Sequence, residues 1–179
     1  MRRRPIAAFV AAVVVVIGLG VGVLAATGDA ALPNRSASGG PVKAGDACSS
    51  AAGLTSLTVT RVVGLPQNHT TFSFTTPIVV NDRAAVGAAA RLLCDLPPMP
   101  SGAFSCPADF GTTYVFSFSA SGGAQPQLRA VLDPDGCRTV TGLGRTRWTS
   151  EAPATFWGDL GRSIGLQGAT NATFSGTMH

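Results

Sequence analysis

Lysine is almost missing from this chain: Lys43 is the only one among 13 basic residues in a length of 179. Charge of either sign is scarce, at 12% of residues, and histidine occurs only at His69 and His179. General acid–base catalysis needs titratable groups held together in a pocket, and here there are few to gather. The nine acidic residues are scattered. Asp133 and Asp135 are close together, but they sit in "DPDG", a turn composition in which Asp side chains accept from backbone N–H groups. No CxxC pair occurs, which with two histidines argues against a metal centre. No glycine-rich phosphate loop follows a strand. The formal charge of +4 hints at nucleic acid, but removing Arg2, Arg3 and Arg4 leaves ten basic against nine acidic residues. No basic run is interleaved with aromatics for base stacking. No cofactor, metal or nucleic-acid partner is expected, and the domain reads as non-enzymatic.

One catalytic motif is matched by chance. Gly161-Arg162-Ser163-Ile164-Gly165 has the GxSxG spacing of a nucleophile elbow. That motif has meaning between a strand and a helix, with an acid and then a histidine following in the chain. Here it falls in a helical pattern, no acid follows Ser163, and the one later histidine is the terminal His179.

Three arginines open the chain and an uncharged run extends from Pro5 to Gly28. The run is long enough to span a bilayer. It also offers small residues around Ala25, where a signal peptide would be cleaved. Residues 1–28 therefore read as a single-pass anchor or a signal peptide, and both leave the rest of the chain outside the cytoplasm. Residues 29–53, rich in Pro, Gly, Ser and Ala without periodicity, read as a flexible linker.

Alternation begins at Leu54. "LTSLTVTRVV" predicts a strand over Leu54–Val63 with Leu57, Val59 and Arg61 on one face. "TTFSFTTPIVV" predicts a second over Thr70–Val80, with Pro77 marking an edge or a bulge. Asn81–Leu96 has helical spacing at Val86, Ala89, Ala90 and Leu93, an Asn/Asp cap and a stop at Pro97. A hairpin follows, with Tyr114, Phe116 and Phe118 opposite Leu128, Ala130 and Leu132 across "SGG". "TVTGLG" suggests a short strand, and "APATFWGDLGRSIGL" a short helix with Phe156, Leu160 and Ile164 inward. The fold class expected is α+β: a small antiparallel sheet of four to five strands, with one or two helices on one face. An N-terminal apolar helix would precede it. The domain spans 54–166, and 167–179 read as a disordered tail.

Cys48, Cys94, Cys106 and Cys137 all follow the export segment, and an even count outside the cytoplasm implies two disulfides. Two pairings compete. Cys94–Cys106 would close a local loop. If Phe116 faces Ala130, Cys106 also falls within a few positions of the site opposite Cys137, and Cys48 would take the remaining partner. Either way the segment between Leu92 and Gly111 is stiffened by proline and a disulfide, which lowers the ordering cost of binding. Pro107, Ala108, Asp109 and Phe110 form a candidate recognition loop. Arg145, Arg147 and Trp148, in "GRTRW", form a candidate cationic and aromatic surface patch.

These segments carry two resemblances. Leu93-Cys94-Asp95-Leu96-Pro97, Cys106 to Gly111, Gly136-Cys137 and Trp148 resemble the pattern of uncharacterised exported actinobacterial proteins, a likeness that implies export and a shared small domain. The layout is also similar to the Streptomyces subtilisin-inhibitor family, with its Cys-Pro-x-x-Tyr reactive loop ahead of a strand pair. That resemblance implies that Cys106 and Pro107 brace the loop, that Ala108 enters a protease specificity pocket, and that Phe110 stands for the Tyr. It departs at Asp109, an acid after the scissile position, and in the second strand, which has no cysteine for Cys94. The function expected is binding of an unknown protein or cell-envelope component by an exported, surface-tethered domain. Serine-protease inhibition through Cys106–Phe110 is the alternative, and an envelope enzyme comes third.

Overall fold

A computed structural model describes residues 48–121 and 125–179. Residues 1–28, expected to export or anchor the chain, and residues 29–47 of the expected linker lie outside the described residues, as does the apolar helix expected there. Among the described residues no helix is long and apolar enough to cross a membrane.

The domain is α+β, built on an antiparallel sheet of six strands in the order β2-β1-β3-β4-β5-β6. They are β1 (Leu54–Val63), β2 (Ile78–Val80), β3 (Thr112–Ala120), β4 (Leu128–Leu132), β5 (Thr139–Thr141) and β6 (Arg147–Trp148). Helices α1 (Arg83–Cys94), α2 (Phe156–Ser163) and α3 (Asn171–Ser175) complete it. Period-two alternation puts one side of each strand inside. Across the sheet Leu57 faces Phe118, Val59 faces Phe116, and Phe116 faces Ala130, so one face is continuously apolar. The hairpin register is the one the aromatic alternation predicts. Helix α1 packs on β1 and α2. Its inward residues Val86, Ala89, Ala90 and Leu93 are fully buried, as their spacing requires. Asp82 caps it, accepting from the Ala85 N–H at 2.8 Å.

Four expectations are corrected. The sheet has six strands, because Arg147–Trp148 is a pair too short to leave a periodic signal and is held by backbone pairing to β5. The second strand is only Ile78–Val80, although it does sit at the sheet edge. Proline at 77 has no N–H to offer a ladder, and residues before it turn instead around Arg61. The Arg61 guanidinium lies 3.7 Å from the Phe72 ring centroid and donates to the Phe74 carbonyl. The expected linker's last residues, Ser49–Gly53, are a 3-10 helix behind the Cys48–Cys94 disulfide.

Residues 167–179 are the fourth correction: they are packed, not frayed. Phe174 of α3 is fully buried against Tyr114, edge to face at 5.4 Å, and against Trp157. The buried Tyr114 hydroxyl donates to the Phe174 carbonyl at 2.8 Å. Thr71 pairs with Thr177 through backbone bonds in both directions. The sparse apolar content of "QGATNATFSGTMH" hides this, because a single aromatic anchor suffices.

Candidate functional site

Of the two competing pairings, the structure has Cys106–Cys137 together with Cys48–Cys94. Two disulfides fit an extracytoplasmic domain. Cys94 ends α1, and the chain then runs as a brace along the edge of β6. Pro98 bridges Arg147, the Met99 N–H donates to the Thr146 carbonyl, and the Trp148 N–H donates to the Pro97 carbonyl.

From Ser101 to Asp109 every residue is exposed. This stretch is nonetheless held at several points. Cys106 is bonded to Cys137, and the Gly136 N–H donates to the Ala108 carbonyl at 3.2 Å. Asp109 closes its own turn by accepting from the Gly111 N–H at 2.7 Å. The Asn68 side-chain amide donates to the Phe110 carbonyl at 3.2 Å, and the Gly64 N–H donates to the Gly111 carbonyl. Of the four candidate loop residues, Pro107, Ala108 and Asp109 face solvent, while Phe110 is half-buried.

The aromatic patch joins the same surface through a residue that sequence reading passed over. Phe104 is 40% exposed and tilts against the Trp148 ring with centroids 5.7 Å apart. Trp148 is fixed from behind by donation from its indole Nε1 to the Cys137 carbonyl at 2.8 Å. Arg145 is exposed. Arg147 is not a surface cation of the expected kind: it is half-buried and donates to the Leu96 carbonyl at 2.7 Å, with its Nε enclosed. An isolated Phe in a Gly/Ala/Ser/Pro stretch was the one available signal for Phe104.

Behind the loop lies the "DPDG" turn. Asp133 Oδ1 accepts from the Asp135 N–H at 3.0 Å. Burial pushes the Asp133 carboxyl up to about 6 against the pull of that backbone bond, with the Asp109 and Asp135 charges adding to the rise. Burial also raises Asp135, which is only 7% exposed.

Other candidates do not converge. Ser163 lies on α2 and donates to the Leu160 carbonyl, which occupies its hydroxyl inside a helix. His69 is exposed on a loop. Among the described residues no three His, Cys, Asp or Glu side chains are grouped to hold a metal ion. A cavity of about 550 Å³ between α1 and α2 is floored by Ala84, Ala85 and Ala88. Its charges, Arg91, Asp95, Asp159 and Arg162, balance in sign. No family model, curated protein or solved structure matches the chain.

Proposed function

We propose that this is an exported, surface-tethered binding domain that recognises a protein or polymer of the cell envelope through the loop Ser101–Asp109. Phe104 is the aromatic anchor within it, and Trp148 and Arg145 extend the surface. The observation that carries this reading is the pairing of full exposure with covalent restraint: the loop is open to solvent yet held by the Cys106–Cys137 disulfide. A partner meeting such a loop pays little ordering entropy, and an exposed aromatic backed by a fixed indole is a suitable anchor. Among the described residues no acid, base and nucleophile are gathered at one point. The arginine-led apolar segment at the start of the chain supports export, as a tether or as a signal cleaved near Ala25.

Cosedimentation of the purified full chain with isolated cell envelopes tests this. Wild type is expected in the pellet, and Phe104→Ala and Arg145→Ala are expected to weaken retention by about tenfold, the worth of one exposed anchor. No retention of wild type, or full retention of both variants, sinks the loop as the binding surface. Sequencing the mature N-terminus distinguishes the tether from the cleaved signal.

Protease inhibition is a second reading, and one observation favours it: the cysteine that precedes Pro107 is bonded to the far side of the strand pair. The Ala108 carbonyl weighs against it. A scissile carbonyl must point outward to an enzyme's oxyanion donors, and this one accepts from the Gly136 N–H. Failure to slow any of a panel of subtilisin-like proteases ends that reading.

A further inference from the structure

The loop and the "DPDG" turn are joined in a way that makes their contact sensitive to acid. Ala108 and Gly136 share a backbone hydrogen bond, and the chain is crosslinked two residues before Ala108 and one after Gly136, at Cys106–Cys137. Asp109 packs directly over the turn: a β-carbon placed on Gly136 would lie 3.2 Å from the Asp109 Cβ and 3.6 Å from its Cγ. Carboxylates from two chain segments, Asp109 on the loop and Asp133 and Asp135 in the turn, therefore meet around one glycine. Asp135 is 7% exposed, and its Oδ2 is enclosed with no hydrogen-bond partner. That oxygen, when ionised, lacks the donor that normally compensates burial.

We propose that the "DPDG" turn is a pH-dependent clamp on the recognition loop, closed over residues 106–111 in acid and loosened as the pH rises. The inference rests on the reading of that loop as the binding surface and adds its regulation. Closing the loop shields the turn acids, so the closed state favours their protonated forms. Opening hydrates them and returns them to the ordinary aspartate range of about 3.9. Asp133 sits at about 6 in the closed state, chiefly through burial. The hold is therefore fully present below the ordinary range and is lost as the pH rises through about 6. The charged and titratable neighbours leave this sign intact. Asp109 raises both turn acids, while Arg138 and a hydrogen bond from Ser175 partly offset the rise at Asp135. From β3, Tyr114 has its own ionisation pushed up by burial and stays neutral; Arg61 of β1 acts on it, not on the turn acids. The disulfide keeps the released loop attached, so the change is a local opening.

Native-state amide exchange on the full chain tests the clamp, read at Gly136 and Gly111, whose N–H groups bond Ala108 and Asp109. After correction for the intrinsic pH dependence of exchange, their opening constants should rise about tenfold or more between pH 4.5 and pH 7. Asp133→Asn keeps an acceptor for the Asp135 N–H and should flatten the profile. Asp135→Asn, as a second variant, should reduce its slope. A flat wild-type profile, or an unchanged slope in Asp133→Asn, overturns the proposal. Exchange needs no partner, so a flat profile with intact envelope retention removes the clamp alone. A sloping profile without retention removes the binding reading alone.

Discussion

Gly142 shows how one position constrains the sheet. Its φ is +87°, in the left-handed region, and a β-carbon there would strike the Arg129 carbonyl of the neighbouring strand. Gly142→Ala therefore adds strain and a backbone clash together, and should cost about 2–3 kcal/mol, read as a lower urea midpoint. Tyr114 makes the opposite kind of contribution. Its ring joins the apolar core while its hydroxyl satisfies the Phe174 carbonyl. Tyr114→Phe keeps the packing and removes the donor, so a loss of about 1 kcal/mol in the same measurement is expected. The Tyr was legible as a core residue because it alternates with Phe116 and Phe118. Its hydrogen bond was not, because the acceptor lies sixty residues away in a segment without periodicity.

Among the elements, α3 has the largest effect for its size. It spans five residues, yet its Phe174 fills the space between Tyr114, Phe74 and Trp157. Ending the chain at Gln167 would expose all three rings. Losing a buried Phe typically costs about 3–5 kcal/mol, so the truncated protein should lose near-ultraviolet circular dichroism well before the intact one on heating. Equal melting temperatures would mean that α3 is an ornament. Long periodic elements such as β1, α1 and the β3–β4 hairpin were readable from the chain because burial repeats along them many times. The two-residue β6 and the five-residue α3 offer no repeat to read. The candidate site divides in the same way. The bracing of residues 106–110 followed from cysteine and proline content, whereas the contact of Phe104 with Trp148 depends on a brace along β6 that only pairing reveals.

For the whole molecule, the disulfides do different work from the core. Cys48–Cys94 spans 46 residues and Cys106–Cys137 spans 31. In the chain-entropy account each restrains the unfolded state by about 4 kcal/mol, with native costs of removal about 2–5 kcal/mol. A domain of this size has little stability to spare. Replacing Cys48 and Cys94 together by Ser should lower unfolding free energy by about 2–4 kcal/mol while leaving the loop pinned. Replacing Cys106 and Cys137 should add faster amide exchange at Gly136. If both pairs gave the same exchange at Gly136, the second disulfide would not be what holds the loop.

Some properties of this chain belong to the sequence itself: an apolar opening marked by arginines, an even set of cysteines after it, and strand and helix periods that name the core. They are local or compositional, so short-range pattern carries them. The pairing of Cys106 with Cys137, the seat of Phe174, and the meeting of Asp109 with Asp133 and Asp135 arise from contacts between distant segments. Only the folded domain brings those segments within bonding distance, and burial then raises the acids of the turn.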